Sequence, residues 1–354
     1  MRDEHFTKVI CRIFKSLQKW NITRGSDKSL SFHLTIRGLS RNDISYEAVR
    51  GCHKHVGFHG FQVLPSLPFV TYIRVEHIDI LPSTMAMIYK ALPRMEYLYW
   101  EIANVPRSLD HLRVSLRESL ASTLLETNFE HLKVLEIMLY DENPLNDNWK
   151  PENHVGAYGN DRLSLAVNRI LKLPNLTMLN LAGFGGFFIL SPAIFAQDEE
   201  CGNISESLRC LILQVSKVTP DGRWYFTGDR AWGTAEDEWD LGEHNEFRNC
   251  PDPTTFDPFL IAIARGIARM PALRDFWCSF YGMVHIMCNV PKRDEPINSP
   301  YAPAEWNIEF EESTFYTDQG FSPQPWTWKT PSEFKKAVRA AGHDLTIRRG
   351  IRRF

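Results

Sequence analysis

Leu173-Pro174-Asn175-Leu176-Thr177-Met178-Leu179-Asn180-Leu181 joins the end of an amphipathic helix to a short strand. Upstream, Leu163, Ala166, Val167, Ile170 and Leu171 follow helical spacing and make one apolar stripe over residues 161–172. Asn160 or Asp161 can cap that helix, because a short oxygen-bearing side chain accepts from the free N–H groups of the first turn. Pro174 stops it, since proline lacks an N–H and pushes Leu173 out of the helical region. In the strand that follows, Leu179 and Leu181 point to the core, and Met178 and Asn180 point the other way.

The unit recurs. Leu67-Pro68 precedes Val70-x-x-Ile73-x-Val75, Leu92-Pro93 precedes Met95-x-x-Leu98-x-Trp100, and Met270-Pro271 precedes Leu273-x-x-Phe276-x-Cys278. Leu132-x-x-Leu135-x-Ile137 and Leu208-x-x-Leu211-x-Leu213 keep the strand without the proline. This is the L-x-x-L-x-L pattern of a leucine-rich-repeat strand. Spacings between first positions are 25, 37, 44, 32 and 65 residues. Only the first lies in the usual range of about 20–29, so the others must carry longer helices or insertions. Phe184, Tyr140 and Ser216 stand where the repeat's asparagine would be. The pattern predicts an α/β fold: an irregular leucine-rich-repeat-like solenoid with a mostly parallel sheet on the concave side and helices outside. Such units cannot bury both faces alone and must stack. The alternative is a chance recurrence in an ordinary α/β domain.

Around this body, residues 1–62 form an N-terminal helix and strand, a possible remnant or cap. The helix spans 6–20, with Phe6, Val9, Ile10, Ile13, Phe14 and Leu17 on one face, and the strand spans 29–36. The repeat body occupies 63–288, with helices near 83–91, 109–125, 161–172 and 257–269. Insertions interrupt it at 141–159, which reads as a surface loop, and at 217–255, where a hairpin or packed cap is expected because long structureless loops are uncommon in compact domains. Residues 289–354 read as a strand–helix cap whose basic tail, Arg348 to Arg353, is expected to be solvated.

Composition narrows the chemistry. An apolar content of 44% supports a sizeable core, and a net charge of −3 gives no global field to recruit nucleic acid or acidic membrane. No run approaches the roughly 20 apolar residues that span a bilayer. The charged start, Met1 to His5, has no apolar stretch behind it, and seven scattered cysteines lack a C-x-x-C. Together these predict a cytoplasmic or nuclear protein with reduced thiols. Cys52, His53, His55 and His59 crowd together but match no zinc-finger spacing. Gly183, Gly185 and Gly186 lack the lysine of a phosphate loop. Asp240 and Glu243 read as a solvated acidic patch. No nucleophile elbow or H-E-x-x-H is present. No enzyme activity, cofactor or metal is expected.

From 217 the sequence runs Lys-Val-Thr-Pro-Asp-Gly-Arg-Trp-Tyr-Phe-Thr-Gly-Asp directly after a repeat strand, followed by Phe256-Asp257-Pro258, a helix, Met270-Pro271-x-Leu273 and a Trp-rich C-terminal segment. Over roughly 64–341 this resembles the filamentous-fungal F-box proteins with degenerate leucine-rich repeats and a C-terminal domain of unknown function. The resemblance implies substrate reception: F-box helices bind the adaptor of a ubiquitin ligase, and the repeat body binds a protein target. Residues 1–28 offer one helix and no Leu-Pro-x-Glu opening, so adaptor binding by this chain is expected to be weak or absent. The other readings are a scaffold without ubiquitin coupling, or an enzyme with a site formed by the insertions.

A target would meet the strand positions that project away from the helices, whose mix of aromatic, charged and aliphatic residues suits an interface core. Tyr72, Arg74, Tyr97, Tyr99, Glu136, Asn180 and Trp277 are the candidate protein-binding residues. The alternative has the 217–255 insertion folding over the face and burying Val134, Met178, Cys210 and Ile212. Tyr72, Arg74, Tyr97 and Tyr99 should stay open either way. Alanine there is expected to abolish target capture with little change in melting temperature.

Overall fold

The computed structural model describes residues 2–24, 31–38, 55–60, 63–103, 110–140, 147–155, 159–183, 187–196, 203–229, 247–280, 284–289, 305–312, 328–340 and 344–351. Its strands are β1 (Phe32–Arg37), β2 (Val70–Glu76), β3 (Tyr97–Ala103), β4 (Val134–Tyr140), β5 (Met178–Ala182), β6 (Cys210–Val215), β7 (Phe226–Thr227), β8 (Cys250–Pro251), β9 (Asp275–Phe280), β10 (Val284–Asn289), β11 (Glu305–Glu312) and β12 (Asp344–Ile351). The α-helices are α1 (Arg2–Arg24), α2 (Pro82–Lys90), α3 (Asp110–Glu126), α4 (Arg162–Leu171), α5 (Phe256–Ile267) and α6 (Ser332–Ala340).

Ten strands form one sheet in the order β1-β2-β3-β4-β5-β6-β9-β10-β11-β12. Pairing is parallel from β1 through β9, antiparallel at β9–β10 and β10–β11, and parallel again at β11–β12. The fold is therefore α/β with a mainly parallel sheet. The sheet runs without a break across residues 62/63 and 288/289.

Register follows the sequence pattern. Ile73, Leu98, Leu135, Leu179, Leu211 and Phe276 sit side by side on successive strands, as do Val75, Trp100, Ile137, Leu181, Leu213 and Cys278. All twelve are buried. Full burial of each large apolar side chain stabilises by roughly 1.5–3 kcal/mol.

The junction before each strand is a repeated turn. Val70, Met95, Leu132, Leu176 and Leu273 each donate their N–H to the carbonyl three residues back, at 3.0–3.3 Å. Leu208 donates instead to the Ser205 hydroxyl at 3.2 Å. The units without proline thus keep the turn by other means. Neighbouring units are also stapled alike: the carbonyls of Glu96, Lys133, Thr177 and Arg209 each accept from two successive amides of the next unit.

Helices α2, α3 and α4 pack in succession, and a 3-10 turn, Pro192–Phe195, bridges α4 to α5, against which α6 packs. Asp161 caps α4, accepting from Ser164 N at 3.3 Å. In α1, Phe6, Ile10 and Phe14 are buried, whereas Val9 and Ile13 are exposed. The buried stripe holds residues four apart, and 9 and 13 lie one position off it.

Two expectations are corrected. Part of the 141–159 insertion is an anchor rather than a surface loop. The Asp147 carboxylate, fully buried, accepts from the fully buried Lys217 ammonium at 3.1 Å and from the amides of Phe247 and Arg248 at 2.7 Å. It thereby ties the first insertion to both ends of the second. Second, Arg348 to Ile351 belong to a strand, β12, whose backbone pairs with β11, where a tail was expected; Arg352 and Arg353 lie outside the described residues. The 217–255 insertion does contain a hairpin, β7 with β8. Its Tyr225 and Phe226 pack on Phe256, Phe259 and Phe280, at the carboxyl end of β9. Asp240 and Glu243 lie outside the described residues, as do Cys52, His53, Gly185 and Gly186.

Candidate functional site

One face of the sheet carries the helices; the other carries the alternate strand residues. Two rows cross it. The first is His33, Tyr72, Tyr97, Val134, Met178, Cys210 and Asp275; the second is Thr35, Arg74, Tyr99, Glu136, Asn180, Ile212 and Trp277. All seven sequence-predicted residues lie in these rows. Val134, Met178, Cys210 and Ile212 are half-exposed rather than buried.

Side chains on this face hold one another. The Tyr72 ring stacks on Tyr97 at 4.3 Å and 15°, and on His33 at 4.4 Å and 19°. In-register parallel strands are about 4.8 Å apart, so these rings use their faces on each other. A base or sugar that needs a free ring face finds none between them. The Tyr97 hydroxyl donates to Glu136, whose other oxygen accepts from Asn180 Nδ2 at 3.0 Å. Burial, and then Glu136, push the Tyr97 phenol above its ordinary value.

Arg74 donates to Glu76 at 2.6 Å and lies 4.2 Å over the Tyr99 ring. Covered in this way, Tyr99 is only 9% exposed. The expectation that it stays open is corrected, because a guanidinium fits over an aromatic face. The Tyr99 hydroxyl donates to Glu101 at 2.9 Å, and Glu101 also accepts from His77 N at 2.8 Å. His77 there adopts φ 56°, a left-handed conformation uncommon outside glycine. Trp277 stands apart from the network, stacked on His285 at 5.9 Å. His33 was missed as a site residue because its strand precedes the first repeat and lacks the leucine pattern.

A second polar cluster sits at the carboxyl ends of β3 and β4, where α/β folds commonly place ligands. A cavity of about 50 Å³ lies between Ile102, Leu139, Leu116, Arg113, Arg117 and His154. Arg117 donates to Asp161 at 2.6 Å, Arg113 is 4.0 Å from Glu152, and His154 is 3.7 Å from Glu152. Each arginine therefore faces a carboxylate, and Asp161 also serves as the α4 cap. No local pattern announces this cluster, because its members come from α3, the first insertion and the helix that follows.

His55 Nε2 lies 3.0 Å from the Ala103 carbonyl, and Gly183 N donates to the Gln214 side chain at 2.7 Å. Among the described residues, no group of three or more metal-ligating side chains assembles, and no helix is long and apolar enough to cross a membrane. Comparison with protein-family models, with curated proteins and with solved structures found no match.

Proposed function

We propose that this chain is a non-enzymatic protein-interaction module, a degenerate leucine-rich-repeat-type solenoid that receives a target protein on the open face of its sheet. The observation that carries this reading is the two-row face itself. It presents half-exposed apolar and aromatic side chains across neighbouring strands, and the described hairpin of the long insertion packs at the carboxyl end of β9. The repeated turns and staples between units support the solenoid architecture. A cytoplasmic or nuclear substrate receptor of the F-box type fits this arrangement.

A photo-crosslinking residue placed at Ile212 should capture a specific protein from lysate, identified by mass spectrometry and then reconstituted from pure components. The same residue at Leu165, exposed on α4, should not. Met178→Glu should abolish the Ile212 capture with a small fall in melting temperature. Identical captures at both positions would overturn the reading. Met178 and Ile212 are cleaner probes than Tyr72, Arg74 and Tyr97, whose mutual contacts make alanine there costly to the fold. Aromatic pairs of this kind are worth about 0.5–1.5 kcal/mol beyond their burial.

The apolar stripe of α1 is spent internally: Phe6 meets Phe58 at 5.9 Å, and Trp20 meets Phe32 at 4.8 Å. That helix is not available to present the same stripe to an adaptor. Calorimetric titration of this chain with a ubiquitin-ligase adaptor should show no binding at micromolar or tighter affinity. Micromolar binding would reveal an adaptor surface elsewhere on the molecule.

A further inference from the structure

The outward positions of β3, β4, β5, β6 and β9 carry three acids, Glu101, Glu136 and Asp275, and no lysine, arginine or histidine. Of the bases on the face, His33, Arg37 and Arg74 lie toward the other edge on β1 and β2, with Arg74 engaged by Glu76, and His285 on β10 stacks on Trp277. Between the acids runs an apolar floor of Val134, Met138, Met178, Ile212 and Trp277, each half-exposed.

Hydrogen bonding is unbalanced in the same direction. Glu136 is held in place by Tyr97 and Asn180, one donor to each carboxylate oxygen, and each oxygen can accept again. The Asn180 Oδ1 acceptor is buried and has no hydrogen-bond partner among the described residues. Cys210, between Met178 and Asp275 in its row, reports the local potential: burial raises its thiol pKa, and Asp275 and Glu136 raise it further. The centre of the face is therefore negative, rich in acceptors and floored by hydrocarbon.

We infer that the protein segment received there is basic, a stretch in which lysines or arginines alternate with apolar side chains. The cations meet Glu136 and Asp275, the N–H donors meet Asn180, and the apolar side chains cover Met178, Ile212 and Trp277. A nucleic-acid backbone is repelled by the same acids. A bare hydrated cation gains nothing from the hydrocarbon floor. This inference rests on the reading that the open face binds protein.

The test is a random peptide library displayed on phage and selected against the whole chain, with a counter-selection against the Ile212→Glu variant. Peptides that depend on Ile212 should be enriched in Lys, Arg and large apolar residues. A synthetic copy of the most enriched peptide should bind by fluorescence anisotropy, and rising salt should weaken it. Glu136→Gln with Asp275→Asn should weaken it by about tenfold or more, as expected for loss of close charge pairs across an interface. Asp275→Asn alone, at an exposed position, should give part of that loss without touching the Tyr97–Glu136–Asn180 network. Ile212-dependent peptides that are uncharged or acidic, or affinities unchanged by both variants, would overturn this inference and leave the protein-binding face standing. A library that yields no Ile212-dependent peptide would overturn both.

Discussion

Asp147→Ala should lower the free energy of unfolding by about 3–5 kcal/mol, read as a shift in the urea midpoint. Removing one partner of a buried ion pair leaves the other charge uncompensated in a dry environment. Lys217 has no exposed side-chain surface, and Asp147 also satisfies the amides of Phe247 and Arg248. The substitution therefore removes an anionic partner from one buried ammonium and an acceptor from two backbone donors at once. Adding Lys217→Met to Asp147→Ala should restore part of the loss, because the buried charge is then gone while the two amides still lack the Asp147 acceptor. Equal stability for Asp147→Ala and the unaltered chain would mean that the insertions are not tied together in this way.

Phe280→Ala should cost about as much, again 3–5 kcal/mol for truncating a buried phenylalanine. Its ring, with no exposed surface, meets Tyr225, Phe226, Phe256 and Phe259 at centroid distances of 5.0–6.3 Å. Phe256 carries the chain of contacts onward to Trp328, whose indole donates to Asp257 at 2.7 Å. Beyond the global loss, Phe280→Ala should expose the hairpin of the long insertion. Limited proteolysis should cut near Tyr225 and Phe226 faster than in the Ile212→Glu variant, whose change lies on the opposite face. Unchanged cleavage would show that the hairpin is held by the Asp147 anchor alone.

These two sites also mark where sequence reading ran out. The core rows were legible, because period-two alternation in 70–75, 176–181 and their relatives fixes which side chains share a face. The open-face rows were legible for the same reason, down to the neighbours Tyr72 and Tyr97. What alternation does not specify is how outward side chains arrange among themselves. Tyr99 was expected in the open, yet Arg74, two residues from Tyr72 on the neighbouring strand, folds over it. Asp147 read as one acid among the prolines and asparagines of a loop. Its partners lie 70 to 101 residues away, and no local periodicity carries that information. A separation of 44 residues hid the Arg117–Asp161 pair in the same way. β12 was missed because a run of arginines resembles a solvated tail, whereas a strand needs only a neighbour with free backbone groups.

Every strand of the main sheet pairs with the strand that precedes it among the sheet's members. During synthesis, the partner that each new strand needs has therefore already left the ribosome. Parallel sheets are ordinarily slow to form, because loop closure must come before the contacts that reward it. Here each closure spans one unit, and an unfinished chain always has a waiting edge to extend. Among the contacts that must wait are those of Asp147, which cannot form until Lys217 and then Phe247 emerge. The chain can thus lengthen its sheet strand by strand, and it locks the middle of the array only after the sixth strand has been laid down.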